Sequence, residues 1–204
     1  MSLAILYPFI KPYALGAPDS AVDAEIVMAV KELARKTLNV RDYLYLDSQY
    51  NWGMYPLDIP EGRHLEQVTK VCIHSFELKA LESKPCETCT ELGYWVDANK
   101  TLYIYPSAQE NEEGGIQVEY AYSPSLFSCD VDESFLEKYA SDIKAGVLSN
   151  LLSMKGQRWF DPQQAQMYRE MWQAAKISAL TDGGSQYTRG YLRLGAASDS
   201  YLYS

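Results

Sequence analysis

The chain is poor in the groups that enzymes use. His64 and His74 are its only histidines, and neither has a nucleophile near it in sequence. Glycine-rich phosphate loops, HExxH and GxSxG are all absent. Phosphoryl transfer, metal-assisted hydrolysis and serine-type acyl transfer therefore have no candidate machinery, and neither an enzyme nor a cofactor is expected. Long hydrophobic runs are missing too. No stretch reaches the ~20 apolar residues of a membrane span. The start, Met1 to Pro8, lacks the basic n-region of a signal peptide. The expectation is a soluble protein, kept inside a cell or a particle, with no membrane partner.

Basic charge is scarce where nucleic acid would need it. The net charge is −9. Residues 40–130 hold fifteen acidic side chains against six basic ones, which accounts for the whole excess. Residues 131–180 hold six of each sign. A DNA-binding face needs the opposite balance, so tight or sequence-specific DNA binding is not expected.

Cysteine is limited to four residues, and two of them form Cys86-Glu87-Thr88-Cys89. A CxxC pair is a zinc half-site or a redox pair in the right setting, and Cys72 and His74 could complete four ligands. A C-x-H pair on one strand is awkward for a tetrahedral ion, because the two side chains sit 6–7 Å apart by the ~3.3 Å rise per residue. Redox chemistry of the thioredoxin kind needs the motif between a strand and a helix, and here it lies in a polar loop between predicted strands. Unligated loop cysteines are the preferred reading, and Cys129 stands alone.

What is present is strong periodicity. Leu136, Tyr139, Ile143, Val147, Leu151 and Met154 lie at helical spacing, and Ala165, Tyr168, Trp172, Ala175 and Ala179 repeat it. Asp130 with Glu133, and Asp161 with Gln164, have capping-box spacing; Pro162 stands at a first helical position, and Gly156 is placed for a C-cap. The pattern predicts an αα-hairpin over 130–180. Ser20–Leu38 predicts a first helix with Val22, Ile26, Ala29 and Leu33 on one face, started by Ser20 and stopped by Asn39. Its natural partner is the hairpin. Residues 1–19, rich in proline and aromatics, read as an ordered extended arm.

From Val40 the period changes to two. Tyr43 to Leu46, Trp52 to Leu57, Val68 to Leu78, Gly93 to Val96, Leu102 to Tyr105 and Ile116 to Tyr122 predict short antiparallel strands, with a hairpin turn at Asp97–Lys100. After Asp182-Gly183-Gly184 the tail carries Tyr187, Tyr191, Leu192, Leu194, Tyr201 and Tyr203 among small residues. So many aromatics are unusual in a solvated tail and suggest an arm that docks on another surface.

The run Ala145 to Gln163, with Leu151-Leu152-Ser153-Met154, Gly156, Trp159 and Asp161-Pro162, followed by Tyr168 and Trp172, resembles a recurrent segment of the neck proteins of tailed bacteriophages. The order of helix, β module and helical pair is similar as well. This resemblance covers residues 5–180; the CxxC loop and the length of the tyrosine-rich tail depart from the family pattern. It implies a head-to-tail adaptor, a structural virion protein made in the host cytoplasm. Such a protein forms a ring, commonly dodecameric, between the portal protein and a tail nozzle or tail-tube protein, and DNA passes through it.

The expected fold is therefore α+β: a helical layer of residues 20–39 and 130–180, an inserted antiparallel β-sandwich-like module over 40–129, and an extended docking arm over 181–204. Residues 1–180 would form the single adaptor domain. Leu151, Met154, Trp159, Tyr168 and Trp172 are the expected ring contacts, and the tail aromatics with Leu192 and Leu194 the contacts to the portal or a neighbour. The alternative is a non-enzymatic β-sandwich module on a helical base that binds glycan or peptide through surface tyrosines.

Overall fold

A computed structural model of the chain describes residues 3–84, 92–125 and 131–184, without the side chains of 182–184. It is an α+β protein that divides into two compact units, one of residues 38–138 and the other of the segments before and after them. None of the described helices is long and apolar enough to cross a membrane.

In the helical unit a 3-10 turn, Leu3–Leu6, leads into α1 (Tyr7–Ile10), followed by α2 (Asp19–Thr37), α4 (Ala140–Leu151) and α5 (Pro162–Gly184). The N-terminal arm is thus wound rather than extended, and it buries Leu6, Ile10, Ala14 and Ala17. α2 starts one residue earlier than Ser20 predicts, with the Pro18 carbonyl accepting from Val22 N–H. It stops at Leu38, whose left-handed φ of 52° takes the place assigned to Asn39. Val22, Ile26, Val30 and Leu33 of α2 and Ile143, Val147, Leu148 and Leu151 of α4 form a core with Ala165, Tyr168, Trp172, Ala175 and Ala179 of α5. The three helices pack on one another pairwise.

The hairpin is more sharply divided than its periodicity predicts. Tyr139, with φ −106° and ψ 16°, interrupts the helix. It separates a short α3 (Glu133–Lys138), which belongs to the other unit, from α4. Helix α4 ends before Met154, and Gly156, with φ +81°, shapes the turn beyond it rather than capping the helix. The start of α5 follows its sequence closely. Asp161 Oδ1 accepts from the backbone N–H of Gln163 (3.1 Å) and Gln164 (3.0 Å), and the Gln164 amide donates back to Asp161 Oδ2. The Asp161 N–H goes to the Leu152 carbonyl, which ties the helix start to the end of α4. Asp130, the other expected cap, lies outside the described residues.

The second unit holds β1 (Arg41–Ser48), β2 (Met54–Pro56), β3 (Arg63–Ile73), β4 (Phe76–Ala80), β5 (Gly93–Val96), β6 (Thr101–Tyr105) and β7 (Glu112–Pro124). They form one mixed, nearly closed, barrel-like sheet in the order β1-β7-β3-β4-β5-β6-β2. This corrects the sandwich expectation twice. One continuous sheet replaces two facing ones, because the thirteen-residue β7 pairs with both β1 and β3. Register irregularities, with the extra residues on β3 in one ladder and on β7 in the other, let such long ladders bend and twist. The β4–β5 pair is parallel, whereas every other pair is antiparallel. The run Val68–Leu78 is also not one strand. It folds over at His74 and Ser75, both left-handed (φ 46° and 71°), the double positive φ of a tight hairpin usually made with Asn-Gly. Ile116, Val118 and Tyr120 of β7, with Val71 and Leu102, are fully enclosed.

Gly146 faces Trp172 so closely that a Cβ there would lie 3.0–3.1 Å from three indole ring atoms. Replacing Gly146 by Val should therefore destabilise the protein by about 1–3 kcal/mol, and Asp161→Ala by ~1 kcal/mol. Urea melts of the two variants check both values.

Candidate interaction surfaces

The five residues expected at a ring contact are spent largely inside the helical unit. Leu151, Tyr168 and Trp172 are buried, while Met154 and Trp159 are half-buried in the turn between α4 and α5. The Trp159 indole Nε1 is enclosed with no hydrogen-bond partner in the structure described. These side chains build the hairpin; the surface belongs to their neighbours. Met167, Met171, Ile177 and Leu180 of α5 are exposed, as are Met28 of α2 and Ile5, Phe9, Tyr13 and Leu15 of the N-terminal arm. Met167 and Met171 are four residues apart and so lie one above the other beside the packed stripe. Heptad reading selects the stripe with the better packing and passes over this second one; its i, i+4 methionine spacing was the available signal.

Polar contacts fasten this unit. Tyr13 meets the edge of Tyr168, with ring centroids 6.3 Å apart, and the Lys144 ammonium stands 3.8 Å above the Tyr13 ring. Lys176 reaches Glu32 at 2.8 Å, and the Asn150 amide donates to Glu25 at 2.7 Å. Tyr7 donates its hydroxyl proton to Asp23 at 2.6 Å. That hydrogen bond, with burial and the charges of Asp23 and Asp19, pushes the Tyr7 phenol up from 10.0 to about 12.

In the sheet unit the face away from the core carries Tyr43 and Tyr45 on β1 and Gln117 and Glu119 on β7. Lys70 and Cys72 of β3 and Glu77 of β4 continue it. The Gln117 amide donates to the Tyr45 hydroxyl at 3.3 Å, Arg41 pairs with Glu119 at 3.1 Å, and Lys70 pairs with Glu77 at 2.9 Å. The hydrogen bond to Glu77, followed by the neighbouring Cys72 and the Glu77 charge, raises the Lys70 ammonium above its usual range. Tyr50 and Trp52, between β1 and β2, and Met54, the first residue of β2, are exposed.

The four proposed zinc ligands are not assembled by the described residues. Cys86 and Cys89 lie outside them. Cys72 is on β3 opposite Glu77, but His74 has left the strand for the hairpin turn, where its Nδ1 is bonded to Glu112. Cys72 and His74 therefore do not share a strand face. Among the described residues, no three His, Cys, Asp or Glu side chains converge as a metal site. Tyr187, Tyr191, Leu192, Leu194, Tyr201 and Tyr203 also fall outside the described residues. No protein-family model matches the chain, and a comparison with curated proteins finds no match.

The Tyr7–Asp23 bond has a pH signature. The folded chain keeps the Tyr7 proton up to about pH 12, whereas the unfolded chain releases it near 10.0. The folded state therefore holds more protons between these values, and the stability from this bond, complete below pH 10, declines as pH rises toward 12. Urea midpoints from pH 9 to 12 should fall more steeply for the native sequence than for Tyr7→Phe.

Proposed function

We propose that the chain is a head-to-tail adaptor of a tailed bacteriophage. In this reading it is a non-enzymatic virion protein whose copies form a ring between the portal and the tail nozzle or tube and leave a channel for DNA. The observation that carries this reading is the exposed Met167, Met171, Ile177 and Leu180 around a helix whose Tyr168 and Trp172 side is already packed. Residues 131–180 add no net charge to oppose association of like surfaces. A ring places the same surface against its neighbour in every copy, so one apolar stripe and its complement serve the whole assembly. The hairpin motif from Leu151 to Pro162 agrees with the same role.

The acidic excess of residues 40–130 fits a position beside DNA that must slide. Carboxylates lining a channel repel phosphates within a Debye length of ~8 Å and prevent sticking. The tyrosine-rich tail serves as the docking arm toward the portal or a neighbouring subunit.

A second reading, a glycan- or peptide-binding module, is favoured by the exposed Tyr43, Tyr45, Tyr50 and Trp52 of the sheet unit. A monomer that binds glycans would decide for it.

Native mass spectrometry of the purified chain should give a closed ring of about twelve copies. Met171→Glu should lower the assembled fraction at least tenfold while leaving the urea midpoint of the subunit unchanged. A chain that stays monomeric at all concentrations overturns the adaptor reading. Deleting residues 185–204 should leave a folded protein that no longer joins heads to tails, read as loss of infectious particles in a complementation assay.

A further inference from the structure

β1 forms one edge of the sheet, paired with β7 on one side and, among the described residues, with no strand on the other. The phase of the ladder determines what this edge offers. The Val40 carbonyl accepts from Tyr122 N–H, so Asp42, Leu44 and Leu46 direct their backbone groups to β7. Arg41, Tyr43 and Tyr45 direct theirs outward. The Tyr43 N–H is occupied by Asp42 Oδ1 at 2.8 Å. The N–H and carbonyl of Tyr45 face the vacant side. Leu44 and Leu46 are only half-buried, whereas Ile116, Val118 and Tyr120 beside them are fully enclosed, so the core-facing layer thins out at β1. An eight-residue edge of this kind is normally blunted by proline, lysine or a covering element. Here Asp42 and the irregularity after Leu46 are the devices present.

The chain carries a segment with the complementary pattern. Residues 187–194 read Tyr-Thr-Arg-Gly-Tyr-Leu-Arg-Leu, with Tyr187, Arg189, Tyr191 and Arg193 alternating against Thr188, Gly190, Leu192 and Leu194. The segment holds two arginines and no acidic residue, while the sheet unit's stretch carries the whole acidic excess of the protein. It begins three residues after Gly184, the last residue of α5.

We propose that β1 of one copy receives residues 187–194 of a second copy as an added antiparallel strand, with Tyr191 opposite Tyr45. This register sets Arg189 opposite Asp47, Arg193 opposite Tyr43 and Leu192 opposite Leu44. These are an ion pair, a cation beside an aromatic ring and an apolar pair, all cross-strand partners of the stabilising kind. The apolar pair would extend the core-facing layer where it now thins. The proposal rests on the ring reading above and deepens it, because each copy would then latch onto the next by backbone hydrogen bonds as well as by apolar contact.

Disulfide trapping in the full-length chain tests the register. Tyr45→Cys and Tyr191→Cys are introduced together into a background with the four native cysteines changed to Ser, and equal amounts of 15N-labelled and unlabelled protein are mixed, allowed to exchange and oxidised. Tyr45 is 65% exposed, so the substitution is compatible with the fold. The expected result is a 45–191 disulfide in mixed-isotope peptides, at least tenfold above a control that combines Tyr191→Cys with Phe76→Cys. Linkage no greater than the control's, or linkage only within one isotope, overturns the proposal; the latter places the segment on its own subunit. Native mass of the same sample separates the two readings. Rings without the 45–191 link overturn strand addition and leave the adaptor reading standing. Mixed-isotope links in a species no larger than a dimer uphold strand addition and overturn the ring.

Discussion

Trp172 lies on the backbone of α4 at Gly146, the one position in that turn with no side chain to hold the indole away. Glycine inside a helix costs about 1 kcal/mol relative to alanine, so its presence in the middle of α4 requires a compensating contact. The flat indole supplies it, with the large apolar area that makes tryptophan effective in cores. Close approach here sets the separation of α4 and α5. It also sets which residues of α5 point inward, and therefore which remain outside. Ala165, Ala175 and Ala179 extend the same logic along the helix, where small side chains keep the pair close.

The exposed stripe of α5 is a consequence of that geometry. Once Tyr168 and Trp172 are committed to the interior, Met167 and Met171 are carried onto the adjoining face by the helical turn alone. Methionine suits such a place, since a flexible thioether side chain adapts to a partner surface. The N-terminal arm behaves similarly. Ile10 is fully buried and anchors α1, while Phe9 and Leu15 on the same short segment are left exposed. Each of these elements thus secures the helical unit and also presents apolar surface.

The sheet unit follows a different principle. β7 is its organising strand, shared by the two longest ladders, and its inward residues are fully enclosed. The outward side is instead occupied by tyrosines and by paired charges such as Arg41–Glu119 and Lys70–Glu77. Lys70–Glu77 is an exposed pair, of a kind that contributes little stability, whereas Arg41–Glu119 is mostly shielded from solvent. Their effect is on what the face attracts. The acidic excess, and an edge at β1 that no described strand pairs with, give this unit a surface character unlike that of the charge-balanced helices.

Local chemistry was legible from the residues themselves. The Asp161-Pro162 helix start, the Asp97–Lys100 hairpin turn, the apolar stripes of α2 and α5 and the alternation in β6 and β7 all follow from contacts within a few positions, and the α+β class follows from them. The break at Tyr139, the left-handed Leu38 and the His74-Ser75 turn were not legible, because each sets residues against their own local preference; the parallel β4–β5 pair was not, because strand direction depends on how distant segments meet. The expected ring contacts show the same division. Periodicity identified Leu151, Tyr168 and Trp172 as the strongest apolar positions, but whether such a side chain is buried within its own chain or left at the surface depends on how closely the helices approach. Sequence alone thus determined most helical and strand segments of residues 20–180 and which of their sides are apolar, since hydrogen bonding and side-chain spacing are short-range; the wound N-terminal arm and the split of Val68–Leu78 were not among them. Only the tertiary structure decided which apolar sides were already covered, because burial depends on partners far away in the chain.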